Sequence, residues 1–140
     1  MNPNANRAYA SNKFEGMSPE RIVLALYDGA LLAMDRAVAA IGEHDQKVLG
    51  EQLSKAMAIV GELQASLDKE RGGEISERLD GLYGYVIHGL LEANVQKDAD
   101  RISEMKGHIS VVREGWAEMV EQVSAEKSRG APAPGAAGYL

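Results

Sequence analysis

The chain has 140 residues, no cysteine and a net charge of −6. That length fits one domain with a single sizeable core, the missing cysteines exclude disulfides and thiolate metal sites, and the acidic balance argues against nucleic acid, which needs a concentrated basic face. MNPNANRAYASNKFEG lacks the pattern of a signal peptide, and the most apolar stretch meets Asp28 and Asp35 before about 20 clear residues accumulate, so a cytoplasmic protein without membrane insertion is expected.

Residues 1–17 are polar, with Tyr9, Phe14 and Met17 as isolated anchors, and read as a flexible arm. Ser18, Pro19 and Glu20 then supply a capping hydroxyl, a proline suited to the first helical position and an acid in the first turn. A first helix runs from there to Ile41, where GEHD interrupts it. Asp45 caps a second, on which Leu49, Leu53, Met57, Val60, Leu63 or Gln64, and Leu67 recur at steps of three and four. RGGE ends it, because paired glycines release the backbone.

The third helix is expected from about Ile75 to Asn94, with Ile75, Leu79, Leu82, Tyr83, Val86, Leu90 and Ala93 on one face and the Tyr83 hydroxyl near the surface. VQKD separates it from a fourth helix capped by Asp98. There Ile102, Met105, Ile109, Val112, Trp116, Met119 and Val123 keep the spacing of a coiled-coil seam. KSRGAPAPGAAGYL, rich in Gly, Ala and Pro, reads as a disordered tail over 127–140. Short loops make successive helices antiparallel neighbours, so the expected fold is all-α, an antiparallel up-down four-helix bundle over 18–126.

The first helix carries more apolar surface than one core face needs. Val23, Tyr27, Ala30, Met34, Ala37 and Ile41 form the core sector, while Ile22, Ala25, Leu26, Gly29, Leu32, Ala33 and Ala40 form a second. A helix apolar nearly all round is normally buried all round, so the arm or another chain is expected to cover that side. Gly29 costs about 1 kcal/mol relative to alanine and marks a place where a backbone can approach closely. The expected groove is Ile22, Ala25, Leu26, Gly29 and Ala33, with Tyr9 of the arm beside it and Asp28 at its centre. Gly81, Gly84 and Tyr85, off the core face of the third helix, are a second candidate contact surface.

Chemistry finds no support. A di-iron bundle site needs Glu-x-x-His on two helices; here Glu104 and His108 stand four apart, once, and point off the seam. His44, His88 and His108 fall in a loop and on outward faces, and neither a phosphate loop nor a nucleophile motif is present. No catalytic, cofactor or metal residues are expected.

SPERIVLALYDGALLAMDRA, LQASLDKERGGEISERLDGLYGY, LLEANVQKD and REGWAEM, in this order and spacing across about residues 9–121, resemble the flagellar secretion chaperone family FliS. The family-like positions are Ser18, Pro19, Leu26, Tyr27, Asp28, Gly29, Gly72, Gly73, Tyr83, Tyr85 and Asn94; His88, Gly89 and Gly84 depart from the pattern. The resemblance implies a cytoplasmic, non-enzymatic chaperone. It would bind the C-terminal helical region of flagellin, prevent premature polymerisation and support delivery to the flagellar type III export apparatus. A co-chaperone is left open as a further partner, and Asp28 is open between a partner's backbone and a neighbouring helix. The alternative is a homo-oligomeric helical adapter unrelated to export.

Overall fold

The computed structural model describes residues 16–129. Four helices follow in chain order: α1 Pro19–Gly42, α2 Gln46–Ala65, α3 Lys69–Gln96 and α4 Ala99–Ser128. At 1.5 Å per residue they are roughly 30 to 45 Å long. α1 packs between α2 and α4, and α3 closes the ring by packing on the same two helices. This is the expected antiparallel four-helix bundle. Residues 1–15 of the expected arm, with Tyr9 and Phe14, and 130–140 of the expected tail lie outside the described residues; the tail's expected start at 127 is corrected, because α4 continues through Lys127 and Ser128.

Each start has a chemical cause. The Ser18 hydroxyl accepts from the Arg21 N–H, and Asp45 and Asp98 do the same for Val48 and Arg101. Hydrogen bonds from the backbone and from Ser18 hold the Glu20 carboxyl below the usual carboxylate range, as expected for an acid in a first turn. A fourth cap, Asp68 accepting from Arg71, was not anticipated. It moves a boundary: α2 ends at Ala65, and α3 begins at Lys69. RGGE therefore ends no helix. Gly73, at φ +52°, kinks α3 just after its first turn, a conformation open to glycine and strained for other residues.

The core follows the expected stripes closely on α4, where Ile102, Met105, Ile109, Trp116 and Val123 are buried. Two readings on α3 are corrected. Ile75 stands 64% exposed and Ser76 is buried in its place, because the Gly73 kink resets the face presented by the residues that follow. The Tyr83 hydroxyl is not near the surface: it meets the Tyr27 hydroxyl across the middle of the bundle. Burial pushes both phenols above the ordinary tyrosine range, so both remain protonated at neutral pH. Gly89 is buried where an added Cβ would lie 2.5 Å from the Met105 sulfur, which sets how closely α3 approaches α4.

The tyrosine pair yields a graded expectation. Tyr27→Phe leaves the Tyr83 hydroxyl buried and unpaired, so it should cost about 1–3 kcal/mol. Adding Tyr83→Phe removes the orphan and should recover most of that loss. Urea unfolding of the two single variants and the double variant reads the coupling directly. Additive losses would mean the hydroxyls do not pair.

Candidate partner-binding surface

The second apolar sector of α1 is mostly covered from within the bundle. Ala33 and Ala40 are buried in the core, and a Cβ at Gly29 would touch the Ile59 Cδ1 of α2 at 3.4 Å. Leu26 is half-buried against the same core. The close approach signalled by the small residues is real, but α2 makes it. Ala33 is therefore withdrawn from the expected groove, and Gly29 serves the α1–α2 contact. Ile22 and Ala25 remain half-buried and Leu32 is exposed, a reduced strip on the outer side of α1.

Asp28 belongs to the bundle as well. Its carboxylate takes the Arg113 Nε of α4 at 2.8 Å, and one heptad on, Asp35 takes Lys106 at 2.6 Å. Nearer the start of α1, the Arg21 guanidinium donates to Ser124. These contacts form a polar edge along the α1–α4 seam. Between a partner's backbone and a neighbouring helix, the neighbouring helix holds Asp28.

Uncovered apolar surface concentrates on the other side of the molecule. Of the six large exposed hydrophobic residues among those described, five stand on α3 and α4: Ile75, Tyr85, Leu91, Val95 and Val111. Val95 is 79% exposed and Val111 70%. Along α3, Gly81, Gly84, His88, Leu91 and Val95 follow one another at steps of three and four, so they share an outer stripe. Gly81 opens to solvent, while a Cβ at Gly84 would meet the Gln64 side-chain amide at 3.6 Å. Leu91 and Val95 were missed in the sequence, although their offset from the buried Leu90 and Ala93 was a usable signal.

Tyr85 is fixed in place. Its hydroxyl donates to Glu104 Oε2 at 2.9 Å and accepts from Arg101. The His108 ring meets it edge-on at 5.6 Å, and the Arg101 guanidinium sits 5.4 Å from its ring centre. The bond to the Tyr85 hydroxyl, followed by the charges of Glu104 and Glu92, raises the affinity of Arg101 for its proton. Thus Glu104 and His108 support an exposed aromatic. Among the described residues no group of three or more His, Asp or Glu side chains is placed to hold a metal. No described helix is long and apolar enough to cross a membrane. A cavity of about 230 Å³ lies at the end of the bundle formed by the α1–α2 loop, lined by Ile41, Leu49, His44 and Lys97 among others, and Tyr85, Leu91 and Val95 are not part of its lining.

What this arrangement can do is bind through shape and apolar contact, by packing a partner helix along a grooved face. Residues 1–123 match the family described as flagellar protein FliS. The chain is 39% identical over 128 residues to the flagellar secretion chaperone FliS of Salmonella typhimurium, covering 88% of this chain and 95% of that protein. It is 30% identical over 118 residues to the protein of the same name from Bacillus subtilis, covering 84% and 87%. Flagellar secretion chaperone FliSB of Pseudomonas aeruginosa is 35% identical over 99 residues, covering 71% and 79%.

Proposed function

The chain belongs to the FliS family of flagellar proteins, and from that premise we propose that it is the cytoplasmic export chaperone of a flagellin, holding the C-terminal helical region of that cargo. Family membership supports a flagellar secretion chaperone; the cargo and its seat are the further step. The observation that carries the seat is the concentration of exposed apolar side chains on α3 and α4. Flagellin's terminal helices bury apolar faces inside the filament, and before assembly those faces invite aggregation. A helix laid along the outer stripe of α3 would cover them and gain apolar burial at roughly 25 cal/mol per Å². Binding by surface contact needs neither cofactor nor covalent step. Capping the segments that would otherwise polymerise keeps the cargo in a form that can be passed to the export apparatus.

The test uses the full chain with a flagellin bearing, or lacking, its C-terminal region. Complex formation by light scattering and suppression of filament growth should both require that region. A chain that self-associates with concentration and ignores flagellin would favour the homo-oligomeric adapter.

A further inference from the structure

The outer face of α3 and α4 carries charge as well as apolar surface, and whereas its arginines Arg78 and Arg101 are paired with Glu74 and Glu104, four of its exposed carboxylates are in no ion pair. On α4, Val111, Glu114, Glu118 and Glu121 follow at steps of three, four and three, and all are exposed, so they form one outward stripe. The α3–α4 register follows from two contacts, Tyr85 with Glu104 and Glu92 with Arg101. Continued along the antiparallel pair, it brings exposed Glu77 of α3 alongside about the level of Glu114. Among the described residues, no Lys or Arg side chain lies within ion-pair distance of Glu77, Glu114, Glu118 or Glu121. Like charges at steps of three and four on one helix repel each other. The face therefore combines uncovered apolar residues with carboxylates that have no counter-charge.

We propose that this face docks a basic amphipathic helix, one whose apolar stripe meets Tyr85 and Val111 and whose flanking lysines or arginines meet the four carboxylates. The proposal deepens the cargo-binding reading and rests on it for the identification of that helix with flagellin; the required chemistry rests on the face itself. A second copy of this chain is disfavoured as occupant, because a symmetric contact through this face would set acid against acid. Anionic membranes and nucleic acids are disfavoured by the same sign. Exposed ion pairs are individually weak, so specificity arises from several acting together and from steering of the encounter, which salt screens.

The experiment measures binding of two model peptides of about five helical turns, identical in their leucine stripe but flanked by lysine in one and glutamate in the other, together with a flagellin C-terminal segment. The lysine peptide should bind at least about tenfold more tightly than the glutamate peptide, and raising salt from about 0.05 to 0.5 M should remove most of that preference. Glu114→Lys with Glu118→Lys should reverse it, whereas Glu51→Lys with Glu62→Lys on α2 should not. Circular dichroism checks that both variants stay folded, and the peptide comparison on the unaltered chain stands without them. Equal binding of the two peptides, or an equal effect of the α2 substitutions, overturns the proposal. A flagellin segment that binds without dependence on salt or on the α4 charges also overturns it and leaves the cargo reading intact. If the lysine peptide binds as expected and the flagellin segment does not, the face is confirmed as a basic-helix dock and the cargo reading falls.

Discussion

Trp116→Ala should lower the stability of the bundle by about 3–5 kcal/mol, a large share of the ~5–15 kcal/mol that holds a domain of this kind folded. Trp116 is buried on α4, and its indole N–H donates to the backbone carbonyl of Glu20 at 2.7 Å. It therefore ties the first turn of α1 to the second half of α4 through apolar area and a directed bond together. Alanine removes both and leaves a void that helices held by their other contacts cannot fully close. Trp116→Phe separates the contributions: it keeps most of the apolar contact, loses the donor, and should cost only about 1–2 kcal/mol, mainly for the hydrogen bond and the smaller ring. Urea unfolding followed by far-UV circular dichroism is the suitable measurement, because the chain's only tryptophan is the residue being removed. An alanine variant within 1 kcal/mol of the parent would mean that the start of α1 does not dock on α4.

The parts of this fold that could be read in the sequence depend on local spacing. Ser18, Asp45 and Asp98 announce their helices because a cap acts on N–H groups two or three residues ahead. The α4 seam was legible because its steps of three and four never break. Where local signals competed, the reading slipped. RGGE looked like a terminus, but Asp68 had already started α3, and Gly73 absorbs the bend inside it. The surface was least legible, since a helical wheel shows that a face is apolar without showing which neighbour covers it. Gly29 and Ala33 advertise close approach equally well for Ile59 of the same chain and for a partner. Asp28 finds Arg113 85 residues later in the chain, a pairing that only the packing of α1 on α4 decides. Leu91 and Val95 look ordinary in a helix with many apolar residues; they become conspicuous once α2 and α4 are seen to leave that side open.

That open side carries the second large expectation. Leu91→Glu combined with Val95→Glu should weaken binding of the flagellin C-terminal segment by about 100-fold or more while leaving the free chain nearly as stable as before. Both side chains are mostly exposed, with Val95 at 79%, so the unbound protein loses little buried area and surface substitutions of this kind usually stay within about 0.5 kcal/mol. In the complex each residue would be covered. Losing an apolar contact of this size costs roughly 1–2 kcal/mol, and burying a carboxylate without a partner adds a desolvation penalty of similar size or more. Two such sites exceed the ~2.7 kcal/mol that corresponds to a 100-fold change. Ile22→Glu on the half-buried strip of α1 is the comparison that locates the seat. Affinity measured by calorimetry should collapse for the α3 pair and change much less for Ile22→Glu, with melting curves recorded alongside. The reverse ranking, with both variants folded, would return the cargo to the outer side of α1 and leave the apolar stripe of α3 to some other partner.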